Sequence, residues 1–402
     1  MATDGSSHRR TIAAQIHTET DGSTLTNGSA FFSLLDGVES EEIGTVYGLG
    51  IHSNKHDFTE HVKIVAYEGL ESSDSLKSLE QKTETQDTIE FMSESNFSRL
   101  TNARDYRAVV TLFDELLHTP QLYHKLGCTR KRLEWLERDV VAVDATNLSL
   151  GTTLVVPSEM RDTDTDEPRE IRPEDGGLKL HLAARVDGDT KQPLSAVVTP
   201  HDQHETTQFG QLQSDVEVAD DLDSPIRVID RGYVDYNRYC DLQAEGTDFV
   251  TTLRSNARTE VVEPLHDFEV QDETGSRHIT DDRIELGETG EEFRRVTVED
   301  IDGEVTEYLT TLSAAEYDPV DVISIYTLRT LIEILFRELK QYTNVQEFHS
   351  KSFNGALFEL FCTLIAYLLV EWYHHRHPLR GGVAHAIRTI RNKWDQPLPE
   401  YG

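Results

Sequence analysis

Two aspartates each close a short apolar run. Asp144 interrupts the buried-strand pattern of Asp139–Leu148 (DVVAVDATNL), and Asp230 ends that of Pro225–Asp230 (PIRVID). A carboxylate at the end of a buried strand is costly unless something compensates its charge, such as a metal ion. The chain carries 73 acidic residues, many of which must cap strands, so the pair alone does not define a site. A polar stripe downstream adds to it. Read as one helix from Ser324 to Tyr342, with about 100° per residue, the segment puts Tyr326, Arg329, Glu333, Arg337 and Lys340 within about 80° of arc. Leu328, Leu331, Ile332, Ile334, Leu335 and Leu339 take the core side. Glu338 falls outside the stripe, which separates it from Glu333. Ordinary i,i+4 pairing accounts for Arg329–Glu333 and Glu333–Arg337, but not for the tyrosine or the distant Lys340. Residue frequencies give about 0.02 chance matches to this spacing per chain.

The patterning around these residues sets the organisation. Residues 1–28 are polar and read as a flexible leader, and 29–135 as a helical region containing Asp74–Lys82 and Arg107–Leu117. Thr129–Arg138 (TRKRLEWLER) reads as a basic helix. Strand patterns then dominate, at Leu178–Val186, Ser195–Thr199 and Asp248–Arg254, with a helix at Val234–Ala244. Residues 257–313 alternate apolar and polar positions between glycine-containing turns, the mark of an antiparallel β module. An apolar helix over Asn354–Tyr373 and a basic helix over Ala384–Trp394 follow the stripe.

Tyr326-x2-Arg329-x3-Glu333-x6-Lys340 resembles the signature of transposases of insertion-sequence family four, a branch of the RNase H-like DDE transposases. Asp144-Ala145-Thr146 is similar to the family's first aspartate motif. Asp230-Arg231-Gly232-Tyr233, followed by Gly246-Thr247-Asp248-Phe249-Val250, is similar to the second. The likeness spans about residues 135–375. It implies an RNase H-like α/β fold: a mixed sheet flanked by helices, with an antiparallel β insertion and an N-terminal helical region. The implied divisions are a DNA-end-binding region at 29–135, a catalytic core at 136–256, the β insertion at 257–313, and the rest of the core with a basic helical tail at 314–402. Asp144, Asp230 and Glu333 would be catalytic and would bind two Mg²⁺ ions, with Mn²⁺ able to substitute. Tyr326, Arg329 and Lys340 would hold DNA phosphates, and Arg337 shares their stripe. The implied reaction is cleavage at terminal inverted repeats and transfer of the 3′-OH strands to target DNA, by a homodimer. Two alternatives are an inactivated copy that binds inverted repeats and a structure-selective nuclease of the same fold. Cut-and-paste members stack a flipped base on a tryptophan in the β insertion. The tryptophans here are Trp135, Trp372 and Trp394, which leaves Phe268, Phe293 and Tyr308 as the aromatic side chains for that contact.

Composition sets the setting. The formal charge is −35, which ordinarily disfavours nucleic acid as a partner. Scattered acid, scarce lysine and frequent Asp and Thr instead fit a halophilic, haloarchaeal protein. In molar salt the Debye length falls to about 3 Å, so only local charge matters. The balance reverses at 94–138, with 8 basic and 6 acidic residues, and at 321–394, with 9 and 6. These are the regions expected near DNA. The longest apolar stretch, Leu360–Val370, covers 11 residues and is too short to cross a bilayer, so no membrane partner is expected. MATDGSSHRR lacks an apolar signal core, and Cys128, Cys240 and Cys362 form no framework, which points to the cytoplasm and the nucleoid. His374, His375 and His377 beside Arg376 lack the partners of a zinc site, and His201-Asp202-Gln203-His204-Glu205 reads as a polar loop. His52, His56 and His61 carry no metal-binding spacing, and no phosphate-binding P-loop occurs.

Overall fold

The computed structural model describes residues 26–35, 38–49, 56–71, 73–117, 133–151, 153–156, 169–188, 190–217, 222, 224–272, 275–287, 289–376 and 381–397. Along the chain run α1 (Asn27–Phe32), α2 (Ser40–Val46), α3 (Phe58–Glu71), α4 (Leu76–Thr83), α5 (Glu94–Ala103) and α6 (Tyr106–Leu117). Next come β1 (Val140–Leu148), β2 (Leu154–Val156), β3 (Arg169–Ile171), β4 (Leu178–Asp187), β5 (Thr190–Pro200), α7 (Phe209–Glu217), β6 (Ile226–Ile229), α8 (Tyr236–Ala244) and β7 (Phe249–Thr252). They are followed by β8 (Thr259–Asp272), β9 (Gly275–Leu286), β10 (Glu292–Glu299), β11 (Val305–Thr310), α9 (Pro319–Thr327), α10 (Thr330–Tyr342), α11 (Phe353–Arg376) and α12 (Val383–Asn392). The chain divides into two units, one of residues 1–119 with 342–402 and one of residues 120–341.

The helical unit is built on α11, which packs against α3, α5, α6 and α12. Residues 342–402 group with the N-terminal helices, among which α11 buries its apolar surface. Its apolar span runs over Phe353–His374, longer than the 11 residues noted above and long enough by composition to cross a membrane, yet 94% of its most apolar 18-residue window is buried in the fold. Residues 26–28, expected in the leader, begin α1: the Thr26 side chain caps it, and Asn27 Nδ2 donates to the Lys393 and Gln396 carbonyls. Trp394 packs its ring against Phe31, Phe32 and Tyr67. Leu133–Arg138 form turns rather than the expected basic helix, and most of the preceding segment lies outside the described residues.

Two buried acids in this unit accept hydrogen bonds from one loop. Glu359 accepts the His349 and Ser350 backbone N–H groups, each at 2.8 Å. Glu68, 3% exposed, accepts the Ser73 N–H at 2.8 Å and His349 Nε2 at 3.0 Å. The bond to Glu68 raises the His349 pKa above its ordinary value. A raised histidine pKa stabilises the fold fully below the unfolded value of about 6.5, and that contribution is lost as pH rises through the folded value. His349→Gln retains a neutral donor and removes the charge. It is expected to cost about 1 kcal/mol at pH 5.5 and much less at pH 9. Urea unfolding at both values tests this, and an equal cost at both would refute it.

The second unit is organised by a nine-stranded sheet of order β5-β4-β1-β6-β7-β11-β10-β9-β8. β5, β4 and β1 pair antiparallel, whereas β1, β6 and β7 run parallel. This five-strand order and direction is the RNase H-like arrangement, a mixed sheet flanked by helices. The β module at 257–313 does not stand apart. β11 pairs antiparallel with β7, so β8–β11 extend the core sheet at its edge. Val141, Val143, Ile229, Tyr233, Tyr239, Phe249, Phe293 and Leu309 belong to one buried cluster.

α9 opens with an Asp318 capping box and Pro319 at its first turn. The single helix expected from Ser324 to Tyr342 is interrupted after Thr327. The Leu328, Arg329, Leu331 and Ile332 N–H groups donate to carbonyls three residues back. Thr327 Oγ1 and Thr330 Oγ1 hold the Ser324 and Thr327 carbonyls at 2.6 and 2.8 Å. Such hydroxyl back-bonding competes with the i→i−4 ladder and breaks the helix at Leu328–Arg329.

Candidate functional site

The parallel pair β1–β6 ends its register at Val143↔Ile229. The next residues are Asp144 and Asp230, so the two carboxylates lie side by side where the parallel pairing stops. β1 itself does not end there. It continues against β4 to Leu148↔Leu178, and Asp144 is a mid-strand residue at the point where burial gives way. Alternation puts Val141 and Val143 in the buried cluster and turns Asp144 to the opposite face. Asp230 caps a short 3-10 turn, Arg231–Tyr233, and its N–H donates to the Val143 carbonyl at 3.1 Å.

One guanidinium gathers the acids. Arg329 Nη1 lies 2.9 Å from Asp144 Oδ2 and 2.8 Å from Asp230 Oδ1, and Nη2 lies 2.5 Å from Glu333 Oε1. The remaining aspartate oxygens are held by backbone: Asp144 Oδ1 accepts the Ala145 N–H at 2.7 Å and Asp230 Oδ2 the Gly232 N–H at 2.8 Å. Burial, and then the neighbouring Asp230, push the Asp144 carboxyl up to about 7, against the pull of Arg329. At Arg329 burial opposes the charge, but Tyr326 and the three acids overcome it and raise the pKa. Among the described residues no group of three His, Cys, Asp or Glu side chains converges closely enough to hold a metal ion. The donor chemistry nevertheless fits a hard divalent cation, because three carboxylates already surround one positive charge.

The rest of the stripe divides. Tyr326 stands on α9, and its ring meets Tyr308 of β11 edge-on at 5.2 Å and lies 5.9 Å from the Arg329 guanidinium. Its hydroxyl is 3.4 Å from Thr252 Oγ1, and burial raises its pKa. Arg337 and Lys340 on α10 line a cleft of about 490 Å³ with Asp144, Thr146, Glu333 and Phe336. Glu338 turns away and pairs with Lys191 at 3.3 Å.

Several residues at the site were not singled out from sequence. Arg231 and Arg254 line a second cleft, of about 750 Å³, with Asp230, Gly232, Ser255 and Asn256. Arg231 follows Asp230 directly, which was the available signal; Arg254 needed the β7 pairing to bring it there. Glu205, read as part of a polar loop, also arrives beside Asp230. A Cβ on Gly232 would stand 1.9 Å from Glu205 Oε2 and 3.2 Å from Asp230 Oδ2, so the Glu205 carboxylate rests directly on this glycine. Lys179 holds the other Glu205 oxygen at 3.1 Å. Beneath the acids, His181 bonds the Tyr233 hydroxyl at 2.8 Å and Thr199 Oγ1 at 2.9 Å. Burial lowers the His181 pKa to about 4, so this chain is neutral.

Other candidates fall elsewhere. Phe293 is 2% exposed in the core and cannot offer a free face, whereas Tyr308 adjoins Tyr326. Phe268 stands on β8, the far edge of the sheet. Arg104, from the first region of reversed charge, is 5% exposed and donates to the His56 and Asp57 carbonyls. His374 bonds the Gly381 carbonyl, His61 stacks on Phe358, and His377 and His52 lie outside the described residues.

Two aspartates thus lie side by side where the parallel β1–β6 pairing stops, and a glutamate on a helix meets the same guanidinium. Residues 135–369 match the transposase DDE domain, and the chain belongs to that family. It is 29% identical over 149 residues to "Putative transposase y4zB" of Sinorhizobium fredii (strain NBRC 101917 / NGR234), covering 36% of this chain and 41% of that protein. It is 27% identical over 233 residues to "Probable transposase for insertion sequence element IS5377" of Geobacillus stearothermophilus, covering 56% of this chain and 57% of that protein. The matches thus span about half of those relatives' lengths. Among solved structures, the cryo-EM structure of the piggyBac transposase synaptic complex with hairpin DNA is similar at a TM-score of 0.45 and 12% identity, over 94% of this chain and 83% of that one.

Proposed function

We propose that this chain is the transposase of an insertion sequence of family four. It binds terminal inverted repeats in double-stranded DNA as a homodimer, cleaves at the element's ends and transfers the 3′-OH strands to target DNA. The observation that carries the reading is the gathering of Asp144, Asp230 and Glu333 around one positive charge at the end of a parallel strand pair. Those three side chains would hold two Mg²⁺ or Mn²⁺ ions. Such ions activate the attacking oxygen and stabilise the leaving oxygen of an in-line displacement. The protein's own groups position the strand. Lys340 and Arg337 in one cleft, and Arg231 and Arg254 in the other, offer cations to phosphates on either side of the acids. Tyr326 and Tyr308 present an aromatic pair next to Arg329, where a base could stack. The acid excess suits a cytoplasm of high salt, in which these short-range contacts survive and the global charge is screened.

The test is incubation in high KCl with a labelled fragment carrying the flanking inverted repeat, with and without Mg²⁺ or Mn²⁺, beside Glu333→Gln. Metal-dependent cuts at the element's boundary, absent from Glu333→Gln, are expected. Binding without cutting would overturn the catalytic reading in favour of an inactivated binder. Cutting that ignores the repeat would favour a structure-selective nuclease.

A further inference from the structure

We propose that Arg329 is a competing cation that keeps divalent metal out of the acid site until a DNA phosphate draws it away, so that metal loading is coupled to DNA. This rests on the reading that Asp144, Asp230 and Glu333 hold the metal. The guanidinium fills the space between the three carboxylates, at 2.5 to 2.9 Å from each. A divalent ion that uses the same inward oxygens cannot share that space. The contact is a built one. Arg329 is largely covered, with 21% of its side chain exposed, and it satisfies three acids with two nitrogens.

The arginine also has somewhere to go. It sits in the link between α9 and α10, where the helical ladder is already broken, rather than in a regular turn. The guanidinium already lies over the Tyr326 ring, 5.9 Å from its centre, a contact that can hold the arginine as it leaves the acids. A phosphate offers it the same bidentate acceptor geometry as a carboxylate. An incoming divalent ion repels it in the same direction. DNA and metal therefore bind cooperatively: a phosphate takes the guanidinium from the acids, a divalent ion frees it for the phosphate, and linkage makes the effect reciprocal. No contact between a DNA sequence and the protein is needed for this coupling, only a phosphate within reach of Arg329.

Mn²⁺ binding, read by electron paramagnetic resonance of the free ion in high KCl, tests this without any cutting. Wild-type protein, Arg329→Ala, Arg329→Gln and Arg329→Ala combined with Asp144→Asn are titrated with Mn²⁺ alone. The wild type is also titrated with the terminal-repeat duplex present. Arg329→Ala and Arg329→Gln are expected to bind Mn²⁺ alone at least tenfold more tightly than wild type. The duplex is expected to tighten the wild type by a similar factor. Unchanged or weaker Mn²⁺ binding in the folded arginine variants overturns the proposal. If neither variant folds, a duplex that leaves wild-type Mn²⁺ affinity unchanged overturns it. The underlying site reading fails separately, if the added Asp144→Asn leaves the tight Mn²⁺ binding of Arg329→Ala intact.

Discussion

Asp230→Asn is expected to reduce metal-dependent cutting at the element's end by at least a thousandfold, about 4 kcal/mol in the barrier, while leaving duplex binding within a few fold. Asp230 contributes one oxygen to the shared cation position and anchors the other on the Gly232 N–H. The amide keeps the backbone bond but removes the charge that a divalent cation requires. Lys340→Ala should behave differently. Its ammonium lines the cleft beside Asp144 and Glu333, so its loss is expected to weaken binding and cutting together, by about tenfold. The pH profile follows from Asp144, whose carboxyl is pushed up to about 7 by burial and by Asp230. Protonation below that value would remove a charge that a divalent cation there needs, so cutting by wild type should rise between pH 6 and 8. Cleavage assays with mapped products, run beside filter binding across this range, check all three statements. Full activity in Asp230→Asn would remove this aspartate from the chemistry.

The second large effect is on stability. Arg294→Ala is expected to cost about 3 kcal/mol, because it leaves the buried Asp281 carboxylate with His266, at 2.8 Å, in place of a guanidinium fork. Asp281 has no exposed side-chain surface, and Arg294 meets it with two nitrogens, at 2.8 and 3.0 Å. The same guanidinium donates to the Leu312 and Tyr317 carbonyls at 3.2 and 2.8 Å, just ahead of the Asp318 cap that starts α9. Loss of Arg294 thus loosens both the extended sheet and the helix that carries Tyr326. Arg294→Met combined with Asp281→Leu removes the buried carboxylate and should recover part of the loss. Urea unfolding of both variants decides the matter, and a cost below 1 kcal/mol for Arg294→Ala would refute it.

Local pattern carried much of the site. Asp144 and Asp230 stood out as acids closing apolar runs, but with 73 acidic residues in the chain they gained weight only beside the polar stripe downstream. Glu333 separated from Glu338 by helical phase alone, and the two do face different partners, Arg329 and Lys191. Strand alternation likewise marked β4, β6, β7 and the β module. These features depend on neighbours within one or two turns, which is the range over which side-chain periodicity acts.

Contacts between distant segments decided the rest. No periodicity indicates that β11 pairs with β7 and turns a β insertion into four more strands of one sheet. Hydroxyl back-bonding by Thr327 and Thr330 broke a helix whose composition reads as continuous. Glu205 and Arg254 reached Asp230 through pairing and turns far from it in sequence. Arg329 shows this most plainly. The resemblance implied a phosphate ligand there, and the fold sets its guanidinium among three carboxylates from separate elements. Sequence determined which residue types could do chemistry, through propensity and phase. Tertiary structure decided which of them share a charge, because electrostatic contacts act across space with no regard for chain separation.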